Sequence, residues 1–365
     1  MKNKLTAILL TGIMTVSLAA CGSASSSSEK PADSDSSAAV SQSAVQSSST
    51  GTASDTKSKD GKLTEVTLGT TSWPTNMFYY LADEKGFFEE NGVKVKIQDF
   101  SSTTESTNAF VGGKLDFVTF ASSETISPFE EGADYKIVME SDKSNGCEGL
   151  VATSDIKSIK DLKGKTVATQ MYSVDHMLLL TLLNNNGMSQ DDINLVDMSI
   201  QEAGNAFVAG QCDAACIWDP YFSQAKAAGG NVLFSSADNP DLITDVLGAS
   251  SDMCENHPDA VKGVIKGFME AVDYWKSNPD ESNEYMGKKL GVDADEFKSE
   301  MDGLIIPTMD EEVTAFTKAD DYSYWGYTQN EVRDFMYKLG ALSTKDKDCG
   351  DMIDSSFVEE LAKQS

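Results

Sequence analysis

The sequence predicts an α/β protein whose folded body is two similar lobes, each a sheet flanked by helices. Three observations carry that prediction. A helix–turn–strand unit occurs twice, as FVGGKLDFVTF (110–120) and FVAGQCDAACIW (207–218). Strand-like apolar stretches alternate with helical ones, the order that builds parallel sheets covered on both faces. Roughly 300 residues remain beyond an N-terminal leader and a Ser-rich segment, enough to bury substantial cores.

Taken in order, MKNK is a short basic region and LTAILLTGIMTVSLAA an apolar one, ending in Leu18-Ala19-Ala20-Cys21. This pattern marks residues 1–20 as a signal peptide, because the apolar run is short for a span of about 20 residues. Leu-Ala-Ala before a Cys resembles the bacterial lipobox, so Cys21 is the expected lipidation site. Residues 21–61 then hold almost no large apolar side chains. Such a segment cannot offset the ~1–2 kcal/mol per residue of backbone entropy lost on ordering, which makes it a tether.

Within the body, EVTLGTT (65–71) reads as a strand, FYYLADEKGFF (78–88) as a helix closed by Gly86, and VKVKIQDF (93–100) as a strand. KIVMES (136–141) is a further buried strand. LKGKTVATQ (162–170) and INLVDMS (193–199) flank a helix over 173–187 that Ser173 caps and Gly187 stops. ITDVLGAS (243–250) is placed to return to the first lobe, and EGLVAT (148–153) suits the other crossing. From Pro258 the pattern turns helical, with Val261, Val264, Ile265, Phe268, Val272 and Trp275 on one face.

Composition narrows the function. The chain carries 29 basic and 58 acidic residues, a net charge of −29. That balance argues against nucleic acid and anionic membrane surfaces as partners, since both are polyanions. Arg333 is the single arginine, so a forked guanidinium grip on a sulfonate is nearly out of reach. Cys147, Cys212, Cys216, Cys254 and Cys349 form no zinc spacing and, with two histidines, no nucleophilic triad. No GxSxG, HExxH, GxGxxG or P-loop occurs. We therefore expect no catalytic residue, no metal and no cofactor. Cys212 and Cys216 read as small hydrophobes in a buried strand, and Asp116 and Asp213 as turn or cap residues.

The stretches WPTNMFYYLADEKGFFEENGVKV, FVGGKLDFVTFASSETISPFEEGADYKIV, SIKDLKGKTVAT and FVAGQCDAACIWDPYFSQA resemble the solute-binding proteins of bacterial ABC importers. The likeness is to the nitrate/sulfonate/taurine branch, whose shared domain is also called NMT1/THI5-like, and it runs over residues 63–300. It implies a two-lobed, hinge-closing periplasmic-binding fold of type II. Mixed, mainly parallel sheets would be flanked by helices, with the C-terminal helices on the first lobe. Residues 62–148 would start lobe I, 149–246 form lobe II, and 247–365 complete lobe I. The implied protein is a monomer anchored by lipid on Cys21 at the extracytoplasmic face of the cell membrane. It would capture a small solute and hand it to a permease driven by a separate ATPase.

In open α/β sheets ligands sit beyond the carboxyl ends of strands. The first lobe then offers Trp73, Thr75, Asn76, Ser101, Thr103, Ser122 and Ser123; the second offers Ser173, His176, Trp218, Asp219 and Tyr221, with Tyr172 in the same loop. Several begin helices, whose free N–H groups hold anions without arginine. Trp73 and Trp218 are placed to clamp a solute between the lobes, and Asp219 either meets an ammonium or caps the helix after it. The combination favours a taurine/sulfonate-like zwitterion. A neutral ring such as a thiamine-pyrimidine precursor, or a sensor role without transport, is the alternative.

Overall fold

A computed structural model describes residues 63–171 and 173–364; the leader, Cys21, the tether and Tyr172 lie outside the described residues. The chain runs β1 (Thr64–Thr70), α1 (Met77–Lys85), α2 (Phe87–Glu90), β2 (Val93–Asp99), α3 (Thr103–Val111), β3 (Phe117–Ala121), α4 (Ile126–Glu130) and β4 (Tyr135–Ser144). It crosses to β5 (Glu148–Ala152), β6 (Thr166–Thr169), α5 (Val174–Asn185), β7 (Asn194–Asp197), α6 (Ile200–Val208), β8 (Ala214–Trp218), α7 (Tyr221–Ala227) and β9 (Asn231–Ser235). It then returns through β10 (Thr244–Ser250), α8 (Ser251–Asn256), α9 (Pro258–Ser277), α10 (Pro279–Leu290), α11 (Ala294–Met301), β11 (Leu304–Ile305), α12 (Met309–Phe316), α13 (Trp325–Lys338) and α14 (Ser356–Ala362).

Among the described residues these strands form two sheets, ordered β11-β4-β10-β3-β1-β2 and β7-β6-β8-β5-β9. Pairing is parallel across β2-β1-β3 and β7-β6-β8, and antiparallel wherever a crossing strand or β11 joins. This is the two-lobed type II architecture. The crossings fall at residues 145–147 and 236–243. Thr244, Asp245 and Val246 consequently pair within the first sheet, which moves the second lobe's edge three residues ahead of the expected 246.

The repeated motif does the same work in both lobes. Asp116 Oδ2 accepts from the Thr67 amide and hydroxyl at 2.7 Å each. Asp213 Oδ2 accepts from the Thr166 amide at 2.8 Å. Each acid thus locks the strand it leads to the strand beside it. The helix expected over 78–88 breaks at Gly86, whose φ of 81° is the left-handed turn that closes α1. Pro258 occupies the first turn of α9, as its fixed φ favours. Val261, Val264, Ile265 and Phe268 are fully buried against α1 and β2, and each contributes about 1.5–3 kcal/mol of apolar burial. The late helix α13 spans the lobes: Trp325 packs in the first, while Phe335 leans on the core of the second.

Candidate ligand-binding cleft

The loop after β1 turns tightly into α1, where Asn76 Nδ2 donates to the Thr71 carbonyl at 3.1 Å. This brings two side chains to one acceptor: Trp73 Nε1 donates to Asp142 Oδ2 at 3.1 Å, and the Thr75 hydroxyl donates to the same oxygen. Asp142 lies near the end of β4, directly across the antiparallel ladder from Asp245 at the start of β10. Like charges facing each other this way repel.

The second lobe brings its own pair of acids. Ser173 Oγ caps α5 by accepting from the His176 amide at 3.3 Å. Asp175, in that first turn, is fully buried, with Oδ1 4.0 Å from the Cys216 thiol. Glu148 opens β5 and is the register partner of Trp218 at the end of β8. One oxygen of Glu148 and one of Asp175 are buried without a hydrogen-bond partner. Among the described residues no ion pair reaches Asp142, Glu148, Asp175 or Asp245.

Their protonation follows from that placement. Burial pushes Asp142 up to about 6 despite the Thr75 and Trp73 bonds. Glu148 stands well above the usual carboxylate range through burial, then through Asp175, Asp142 and Asp219. Burial alone likewise raises Asp175. Asp245 is raised by burial and then by Asp142, Glu148 and Glu124. Tyr79, Cys147 and Cys216 also face these acids, and burial lifts the pKa of each above its ordinary value. These four acids are thus largely buried and, among the described residues, have no ion-pair partner.

A groove of about 670 Å³ is walled by α3 and α4, by Met171, His176 and Met177 of the second lobe, by Met336 of α13 and by Leu339 just after it. Glu124 lines the groove, accepts from Thr103 at 2.7 Å, and contributes to raising Asp245. His176 Nε2 lies 3.1 Å from Gln190 Oε1, and burial lowers its pKa, favouring a neutral ring.

The predicted residues divide accordingly. Trp73 and Thr75 donate to Asp142, Trp218 is the ladder partner of Glu148, and Ser123 and His176 line the groove. Ser122 is engaged inside the first lobe, donating to the Thr244 carbonyl at 2.6 Å and accepting from Trp325 Nε1 at 3.1 Å. Ser101 is exposed and bonded to Glu105. Tyr221 packs over Gly204, whose missing side chain lets α6 and α7 approach. Asp219 Oδ1 caps α7 by accepting from the Ser223 amide at 2.7 Å, and its other neighbours include Glu300 across a 270 Å³ hollow. Asp142, Glu148 and Asp245 went unnamed as site residues, while Asp175 stood in the inward-pointing loop 172–176 without a role. The signal of the first three was an acid near the end of a strand, beside a crossing.

A two-sheet body with ligand-facing loops at the strand ends is the architecture of the periplasmic binding proteins. The NMT1/THI5-like family model matches residues 73–282, and the chain belongs to that family. A putative aliphatic sulfonates-binding protein of Bacillus subtilis is 27% identical over 78% of this chain and 84% of its own length. The taurine-binding periplasmic protein of Escherichia coli is 27% identical over 53% and 61%. Among solved structures, the Escherichia coli periplasmic aliphatic sulphonate binding protein SsuA superposes with a TM-score of 0.68 at 24% identity, covering 80% of this chain and 92% of its own. The desulfurization enzyme DSZB also shares the fold, with a TM-score of 0.58 at 13% identity over 83% and 100%.

Proposed function

We propose that the chain is an extracytoplasmic solute-binding component of an ABC importer, working with a permease and its ATPase. The observation that carries this reading is the cleft itself: loops from both lobes converge on it, in a chain of this family. Signal-peptide removal at residue 20 and lipid on Cys21 would hold a monomeric body at the membrane. Among the described residues no helix is long and apolar enough to cross a membrane. The enzyme of the same fold is the contrasting case. Here burial pushes Cys212 up to about 11 and Cys254 and Cys349 up to about 12, the reverse of what a nucleophilic thiolate needs.

Within the sulfonate-binding relatives' chemistry, a taurine-like zwitterion fits better than a plain alkanesulfonate, because Trp73 and Trp218 at the strand ends stand beside Asp142 and Glu148 and the chain has a single arginine. A neutral ring with N–H donors, such as a thiamine-pyrimidine precursor, is the second reading, favoured by the protonated state of the same acids. Thermal unfolding of the purified chain against taurine, alkanesulfonates, nitrate, hydroxymethylpyrimidine and amino acids tests both. A solute at a hundred times its dissociation constant adds about 2.7 kcal/mol, a shift of a few degrees for a body this size. Turnover of any of these compounds would reverse the reading in favour of an enzyme.

A further inference from the structure

The groove between α3, α4 and the second lobe is larger than a small zwitterion needs. Its volume of about 670 Å³ falls among sites that enclose drug-sized ligands, about 300–1,000 Å³. Much of its wall is apolar and uncovered. Val111 is 48% and Leu339 43% exposed, and both line it, together with Met171, Met177 and Met336. Large apolar side chains gathered round one opening mark a place for a ligand. Unbranched thioether chains adapt to a flat ring and gain sulfur–aromatic contacts with it.

One lining acid lacks a partner. Glu124 lies in the single helical turn Ser122–Thr125 after β3. The Ser122 bonds to Thr244 and Trp325 hold that turn, and the Thr125 hydroxyl closes it by donating to the Ser122 carbonyl at 2.6 Å. Glu124 Oε1 accepts from Thr103, while Oε2 is buried without a hydrogen-bond partner. A buried polar atom left unpaired is costly, and a ligand atom that pairs it recovers that cost. The described lining includes a second acid, Glu131, and neither lysine nor arginine. An anionic head would meet no opposite charge there. Burial raises the Glu124 pKa, and the Thr103 bond works against that rise. An amide edge suits the carboxyl in both of its forms. Its N–H donates to Oε2 of the ionised group, and its carbonyl accepts from the protonated one.

Resting on the reading of the protein as a solute-binding component, we propose that this groove takes an uncharged solute with a bulky ring body and an amide-like edge, and that Glu124 selects the edge. The ring lies against the methionines and touches both lobes at once. Taurine would leave the apolar wall uncovered and set its sulfonate beside two acids. The inference thus takes the neutral one of the two readings above and enlarges it beyond a single small ring.

Calorimetric titration of the full chain with naphthalene-2-carboxamide, naphthalene-2-sulfonate, 2-naphthylmethylamine and taurine separates body from head. The carboxamide should bind at least about tenfold tighter than the other three. Glu124→Leu should weaken it at least about tenfold by removing the pairing. Glu124→Gln keeps a donor and an acceptor at nearly the same volume, and should hold the carboxamide within about threefold. The same Gln variant should bind the naphthyl sulfonate more tightly than the parent does, a reversal that a purely structural role of Glu124 would not produce. Taurine binding without carboxamide binding overturns the inference and leaves the solute-binding reading standing. A carboxamide weaker than the sulfonate or the amine overturns it too, as does unchanged affinity in Glu124→Leu. If no compound of the series binds, the inference falls, and the wider solute panel alone decides the solute-binding reading.

Discussion

Two sets of acids in this protein have opposite fates. Asp116 and Asp213 lead the twin strands and accept backbone N–H groups of a neighbouring strand, so each is satisfied where it stands. Asp142 and Asp245 face each other across one ladder, Glu148 and Asp175 are buried in the second lobe, and the latter two keep buried oxygens without partners. The residue types are the same; the number of donors in reach differs. The twin acids find their donors in the neighbouring strand of the same lobe, whereas Glu148 and Asp175 each keep an oxygen that finds none.

The comparison breaks most visibly at Asp116. Asp116→Ala removes two charge-assisted bonds and should cost about 3 kcal/mol of unfolding free energy, read by urea denaturation. Asp213→Ala loses one such bond and should cost about half as much. Equal losses would mean that the twin positions do not work through the bonds described. Gly204→Ala tests the helix contact beside the cleft: a methyl group would meet the Tyr221 side chain at 2.6 Å, an overpacking of about 1–3 kcal/mol.

The cleft acids should respond to pH in the direction opposite to a salt-bridged carboxylate. Asp142 is held at about 6 in the fold, above its unfolded value, so the folded state binds the extra proton. Its contribution therefore favours folding below about 4 and is progressively lost as pH rises to about 6. The stability difference between the parent and Asp142→Asn, measured from pH 4 to 7.5, should trace that window, with the parent losing ground as pH rises. A flat difference would place the Asp142 titration elsewhere. The smallest effect is expected at Asp219, where Asn caps a helix as well as Asp: Asp219→Asn should change stability by less than about 0.5 kcal/mol. A larger loss of stability in this variant would mean that Asp219 does more than accept from the Ser223 amide.

Much of the fold was legible because its signals are local. Periodicity placed the strands and helices, Ser173 announced its cap, and the repeat of Phe-Val-small-Gly with a following Asp announced paired lobes. The break at Gly86 was read as an end, but the short helix after it merged with the one before, since Phe87 and Phe88 continue the apolar pattern. The site was half legible. Strand-end loops pointed to Trp73, Thr75, Ser123, His176 and Trp218, while Tyr221, Ser101 and Ser122 share the same loops yet spend their side chains on helix packing, a local acid and Trp325. Which way a side chain turns at a strand end depends on what packs behind it.

From the chain alone one reads a two-lobed α/β body, a large acidic excess and near-absence of arginine, because composition and periodicity need no long-range contact. The meeting of Asp142, Glu148, Asp175 and Asp245 belongs to the tertiary structure. These acids come from β4, β5, α5 and β10, and only the double crossing between sheets brings them together. Each alone resembles a routine polar strand end or a first-turn helix acid. Their shifted protonation is a property of the burial and mutual repulsion that assembly imposes, and no spacing along the sequence encodes it.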